Sequence, residues 1–238
     1  MNFKKKVVFV TGASRGIGKA IAKEFKKNSA YVIGTYTGNS KSKKLNCDEW
    51  YKFDFTKKKH ILECKKLIIK IKPNILVNNA GINLKKSFEN INEKDFLNIH
   101  QVNVLAPMML CQSAIKVMKK NKWGRIINIA SIWSKISKEQ RGSYSASKFA
   151  LDGLTLSIAA EYSKYNILAN CISPGFINTD LTKQILSHSE RKAISKTIPI
   201  KRMGESDEIA KFVLWLSSEQ NTYISGQNIA IDGGFTRV

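Results

Sequence analysis

Acidic residues are scarce in this chain. Eighteen Asp and Glu stand against 40 Lys and Arg over 238 residues, a formal net charge of +22. Such a field attracts anions, among them phosphorylated cofactors, acidic carrier proteins and nucleic acid. The lysines, however, are spread along the whole chain without aromatic interleaving or a nucleic-acid motif. They read as a solvated basic surface, and no nucleic-acid partner is expected. Cysteine is also sparse. Cys47, Cys64, Cys111 and Cys171 form no C-x-x-C pair, and His60, His100 and His188 are equally dispersed. That excludes a disulfide framework and a metal site of ordinary ligand spacing. Long apolar runs are missing: nothing approaches the roughly 20 residues of a membrane span. Val7–Val10 follows a basic start but leads to no cleavage pattern. The expectation is a soluble, cytoplasmic protein. With no linker, repeat or low-complexity tract, residues 1–238 read as one domain.

What the chain does have is an alternation of strand and helix patterns. Strands are expected at Lys6–Val10, Tyr31–Tyr36, Trp50–Phe55, Ile75–Asn78, Gly124–Ile129, Ile167–Ile172 and Asn228–Ile231. Helices are expected at Ile17–Lys27, Lys57–Ile71, Glu93–Lys120 with a bend near Pro107, Tyr144–Tyr162, and Asp207–Leu216 with Ser206 as N-cap. Nearly continuous apolar strands separated by helices imply a parallel sheet covered on both faces. Right-handed crossovers then give a doubly wound, seven-stranded α/β Rossmann fold.

The first strand runs directly into Thr11-Gly12-Ala13-Ser14-Arg15-Gly16-Ile17-Gly18. Gly12 allows a tight turn, Gly16 a close backbone approach, and Gly18 close packing of helix on strand. The helix start then offers N–H groups and a positive dipole end to a pyrophosphate. The second strand ends Gly34-Thr35-Tyr36-Thr37-Gly38, without the acid that would bind an NAD ribose. Arg15 and Thr37 suit a 2′-phosphate instead. NADPH is therefore the expected cofactor, with NAD the less favoured one.

Tyr144 and Lys148 stand four residues apart on one expected helix and share a face. A neighbouring ammonium favours the phenolate, so the tyrosine pKa is expected to fall towards neutrality. Ser131 lies just past the strand ending Ile129, in the crevice where doubly wound folds hold ligands.

Together these residues resemble the short-chain dehydrogenase/reductases. The likeness runs from Thr11–Gly18 through Asn78-Asn79-Ala80-Gly81, Asn103, Ser131 and Tyr144–Lys148 to Pro174-Gly175 and Gly226-Gln227…Asp232-Gly233-Gly234. It implies that Tyr144 protonates a carbonyl oxygen, Ser131 orients it, and Lys148 holds the nicotinamide ribose and depresses the Tyr144 pKa. It implies that Asn103 supports a proton relay through Lys148. Gly12, Ser14, Arg15, Gly16, Ile17 and Gly18 would cradle the phosphates, with Thr37 beside them. Asp54, Phe55, Asn79, Ala80 and Gly81 would line the adenosine side. Pro174, Gly175, Ile177 and Thr179 would hold the nicotinamide. Within the family the likeness is to 3-oxoacyl-acyl-carrier-protein reductases, usually tetramers. Here the assembly would use Glu93–Lys120, Tyr144–Tyr162 and Asn228–Val238. The substrate is then a small-molecule or carrier-bound carbonyl. Lys122, Arg125 and Lys164 are candidate docking residues for an acidic carrier.

The stretch between Ser131 and Tyr144 departs from that group. It carries Trp133, Lys135 and Arg141 where small, glycine-rich residues are expected, and could recognise a sugar or another anion instead. A sugar or glycan-precursor dehydrogenase of the same family is the alternative. A non-catalytic dinucleotide sensor is disfavoured by the intact Ser131, Tyr144 and Lys148. Asn178–Ile200, with Lys183, Arg191, Lys192 and Lys196, is the expected substrate lid.

Overall fold

The computed structural model describes residues 1–38, 46–179, 182 and 186–238. Among these residues the strands are β1 (Val7–Val10), β2 (Tyr31–Tyr36), β3 (Glu49–Lys52), β4 (Ile75–Asn78), β5 (Gly124–Ile129), β6 (Ile167–Pro174) and β7 (Asn228–Ile231). They form one sheet in the order β3-β2-β1-β4-β5-β6-β7, every pair parallel. β4, β5 and β6 are buried at every position, so both faces of the sheet must be covered. On one face α1 (Gly16–Lys27) packs against α7 (Ser206–Leu216). On the other lie α2 (Lys58–Ile71) and α4 (Ala106–Asn121). Each pair closes its own apolar core, Ile21, Phe25, Ile209 and Val213 in the first, Ile61, Ile68, Leu110 and Met118 in the second. The doubly wound expectation stands. The order reverses between β1 and β4, which opens the crevice at the carboxyl ends of the strands.

Several boundaries differ from the pattern-based reading, each for a local reason. β3 ends at Lys52, not Phe55. Phe53 still donates its N–H to Tyr36 O, but the Asp54 carboxylate then takes the Thr56 N–H and hydroxyl and turns the chain away. The long helical stretch divides into α3 (Glu93–His100), a π-helical turn over Gln101–Leu105, and α4. Pro107 lacks the N–H that an α-helical Asn103 carbonyl would accept, so the ladder widens just before it. α5 (Gly142–Tyr162) starts two residues early. The N-cap of α7 is Glu205, not Ser206. Glu208 reaches back to accept the Glu205 N–H at 2.8 Å.

α6 (His188–Thr197), with a Ser187/Glu190 capping box, buries none of its residues. No described helix is long and apolar enough to cross a membrane, and no described group of three acidic, His or Cys side chains could hold a metal.

Candidate active site

The turn after β1 is held from both sides. Gly12 has φ +66°, and its N–H donates to Thr35 Oγ1 at 3.0 Å. A Cβ on Gly18 would lie 2.3 Å from the Gly12 carbonyl oxygen, so only glycine lets α1 start this close to the strand. From the β4 side, Asn79 Nδ2 donates to Thr11 O (3.0 Å) and Gly12 O (3.1 Å). Thr11 Oγ1 accepts the N–H groups of Asn79 (2.9 Å) and Ala80 (3.0 Å). Asn79 and Ala80 are thereby fastened to the turn. Arg15 enters α1 with extended backbone, no side-chain cap and no acid in the first helical turn. The first N–H groups and the positive dipole end are left for an anion. Arg15 and Thr37 are exposed, while Ser14 and Ile17 are half-buried. Thr179 covers Gly16, its methyl 3.5 Å from where a Cβ would be. This cradle fits a pyrophosphate.

Asp54 is held below the usual carboxylate range, chiefly by the Thr56 hydroxyl. Phe55 sends its ring into the core, and its carbonyl accepts from Gln101 Nε2 at 3.0 Å. Pro174 closes β6. The Gly175 N–H continues the pairing to Ile231 O at 3.0 Å, and a Cβ on Gly175 would meet Asp232 Cα at 2.7 Å. Buried Ile177 bridges to Gly204.

Ser131, just beyond β5, is 8% exposed and its Oγ accepts from the Trp133 N–H. α5 carries Tyr144 to it, close enough for the Ser131 hydroxyl to pull the phenol's pKa down. One helical turn on, Lys148 is 4% exposed, donates to Ile129 O at 2.8 Å, and holds its Nζ 5.6 Å from the Tyr144 ring centre. An ammonium has three donors, so two remain for a ligand. Lys148 Nζ lies 3.7 Å from a Cβ built on Gly81, and Asn103 Oδ1 lies 3.3 Å from it. Asn103 sits in the π-helical turn and clamps Ile82, accepting its N–H and donating to its carbonyl, both at 2.9 Å. Its amide also donates to Ser147 Oγ at 3.0 Å. All four candidate catalytic residues therefore converge at the end of β4 and β5.

One electrostatic expectation is corrected. Burial raises the Tyr144 pKa above that of a free phenol. Hydrogen bonding to Ser131 and the positive charge of Arg141 pull the other way. Burial lowers Lys148 to about 8. Desolvation is the largest cause for both groups, and the charge that lowers the Tyr144 pKa is that of Arg141 rather than Lys148.

A family model described as enoyl-(acyl carrier protein) reductase matches residues 12–236. A 3-oxoacyl-[acyl-carrier-protein] reductase of Buchnera aphidicola is 37% identical over 243 residues, covering 98% of both chains. The chain belongs to the short-chain dehydrogenase/reductase family. Its relatives are oxidoreductases, and so is this protein. Among solved structures, one provisionally described as a 2-deoxy-D-gluconate 3-dehydrogenase of Agrobacterium tumefaciens with bound NADP superposes at TM-score 0.90. It is 30% identical, covering 98% of this chain and 97% of that one. A 4-hydroxyisoleucine dehydrogenase complexed with NADH superposes at 0.91 with 31% identity, covering 98% and 100%. The family binds NAD or NADP.

In this dehydrogenase/reductase the stretch after Ser131 folds into the site wall. Trp133 is 7% exposed and meets Phe176 edge-on at 6.3 Å, and the Arg141 guanidinium lies over its indole. Lys135 is exposed. Of the candidate docking cations, Lys122 and Lys164 are exposed but Arg125 is 2% exposed. Its guanidinium donates to Gly124 O, Asn166 O and Asn221 O, so it ties β5 to neighbouring loops and cannot meet a partner. Sequence reasoning missed Thr35, Ile82 and Ser147. Thr35 alone had a readable signal, a hydroxyl inside an otherwise apolar strand. The partners of Asn103 lie 21 and 44 residues from it, and no local pattern reports such a pairing.

Proposed function

We propose that this short-chain dehydrogenase/reductase reduces the 3-oxo group of an acyl chain borne by acyl carrier protein to a secondary alcohol, with NADPH, in fatty acid biosynthesis. The observation that carries the carbonyl-reduction reading is the placing of Tyr144 beside Ser131, whose hydroxyl acts on the phenol's pKa, with Lys148 Nζ 5.6 Å from the Tyr144 ring centre. When bound, the dinucleotide supplies the hydride. Ser131 and Tyr144 hold the carbonyl oxygen between their hydroxyls, and Tyr144 gives it a proton. Lys148 binds the ribose hydroxyls with its two remaining donors, and Asn103 supports resupply of the proton through Lys148. Gly12, Ser14, Arg15, Gly16, Ile17 and Gly18 bind the phosphates. Asp54, the Phe55 main chain, Asn79, Ala80 and Gly81 line the adenosine side. Pro174, Gly175, Ile177 and Thr179 hold the nicotinamide.

NADPH preference is supported by the acid-free end of β2 and by exposed Arg15 and Thr37. The carrier-borne substrate is supported by curated relatives named for it and by the +22 charge, which steers an acidic carrier. Residues 1–238 act as one cytoplasmic domain with the lid at about 178–200. The detached surface of α6 supports that lid, and Arg191, Lys192 and Lys196 stand on it, whereas Lys183 lies outside the described residues. Exposed Leu97, Phe149 and Leu156 on α3 and α5 support a homotetramer.

The Trp133–Arg141 wall favours a second reading, a dehydrogenase of sugars or glycan precursors. NADPH absorbance with acetoacetyl-carrier protein and a panel of keto-sugars separates the two. We expect turnover of the acyl substrate and a kcat/KM at least about tenfold higher with NADPH than with NADH. Turnover of keto-sugars alone, or an NADH preference, overturns the corresponding part.

A further inference from the structure

Arg141 is a half-buried cation without an anion. Its guanidinium lies over the Trp133 indole at 5.6 Å, and Trp133 is itself pinned by Phe176. Among the described residues it forms no ion pair, although Glu139 is two residues away. Two other arginines of the fold differ. Arg125 gives its donors to three carbonyls, and Arg202 grips Glu208 with both prongs. Among the described residues no acid faces Arg141, yet it has lost water: burial lowers its pKa, and its charge reaches the Tyr144 hydroxyl.

A guanidinium fork held over the face of a fixed ring keeps its N–H donors free for a two-oxygen acceptor. Desolvation without a partner is unfavourable until an acceptor arrives. The place where that acceptor would sit is set by Tyr144, which holds the reacting carbonyl. We propose that Arg141 is the specificity-determining residue for an anionic group, carboxylate or phosphate, carried by the substrate within a few bonds of its reacting ketone. The inference rests on the reading of Ser131 and Tyr144 as the carbonyl site. It also accommodates a 3-oxoacyl thioester, whose own carbonyl oxygen, two carbons from the ketone, accepts from the same fork without charge.

The test is equilibrium binding by calorimetry to the full chain saturated with oxidised NADP or NAD, whichever it binds, so that no ketone is turned over. Two probe pairs differ in charge: acetoacetate against methyl acetoacetate, and dihydroxyacetone phosphate against dihydroxyacetone. We expect one anion of the two to bind roughly 10- to 100-fold tighter than its neutral partner. The pair that shows the gap identifies carboxylate or phosphate. In Arg141→Gln the gap closes to about unity, and in Arg141→Lys, which keeps the charge but not the fork, part of it returns. Equal binding of anion and neutral probe by the wild type, which needs no variant, overturns the proposal. So does an unchanged gap in a folded Arg141→Gln. Failure of the carbonyl-site reading shows separately, as no NADPH oxidation with methyl acetoacetate.

Discussion

Desolvation outweighs the Ser131 hydroxyl and the Arg141 charge, so the Tyr144 phenol keeps its proton more tightly than one in water. In the cofactor-free chain Tyr144 is therefore an intact acid throughout the neutral range, which suits it to protonate a developing alkoxide. Lys148, lowered to about 8 by burial, is a weakly held ammonium whose one hydrogen bond goes to Ile129 O. The roles follow from these environments: one group keeps a proton, and the other is poised to exchange one. Tyr144→Phe removes the donor and leaves the ring. It should lower kcat for ketone reduction about 10²- to 10⁴-fold, measured as NADPH consumption at saturating substrate. A loss smaller than tenfold would show that the proton comes from elsewhere.

Elements set where these side chains arrive. The β1–α1 turn closes because Thr35 of β2 and Asn79 just past β4 bond to it, and Thr11 within it bonds back to Asn79, so the cradle is built by β4 and β2 as much as by its own glycines. Asn79→Ala deletes two hydrogen bonds to the Thr11 and Gly12 carbonyls. We expect a stability loss of about 1–2 kcal/mol and dinucleotide affinity weakened several-fold, read by urea denaturation and by NADPH fluorescence titration. Wild-type NADPH affinity in this variant would refute the bracing role. The π-helical turn does comparable work for Asn103, giving it a place beside Gly81 and Lys148 that a straight helix through Gln101–Leu105 would not provide.

At the scale of the molecule, four thiols are buried in the native state. Cys47, Cys111 and Cys171 are pushed up to about 12, and Cys64 is raised as well, all first by desolvation. Unfolded thiols ionise near 8.5, so above that pH the unfolded chain releases protons that the folded chain keeps. This stability is complete below about pH 8.5 and is lost as pH rises. Lys148 acts in the opposite sense. Its folded pKa lies below the unfolded value, so stability rises above pH 8 and offsets part of the loss. The four thiols outweigh the one amine, and the net fall between pH 7.5 and 9.5 should be roughly 3 kcal/mol. Urea denaturation under reducing conditions measures it. A flat profile would mean that the thiols are not sealed from water.

The sequence by itself determined the architecture. Apolar runs too continuous for a half-exposed sheet, alternating with amphipathic helices, leave few alternatives to a doubly wound parallel sheet. The ordered motifs from Thr11 to Gly234 name the family because spacing along the chain is a local property. Tertiary structure alone decided the electrostatics and the partners. The direction of the Tyr144 shift depends on burial, which no i, i+4 spacing reports. Arg125 looks like a surface cation in sequence and is sealed among three carbonyls in space. The sequence marks Arg141, with Trp133 and Lys135, as a candidate for anion recognition, but only the fold sets its guanidinium over Trp133 and brings its charge to Tyr144. Periodicity records which face of an element is apolar. Desolvation and long-range hydrogen bonds depend on what the rest of the chain brings to that face.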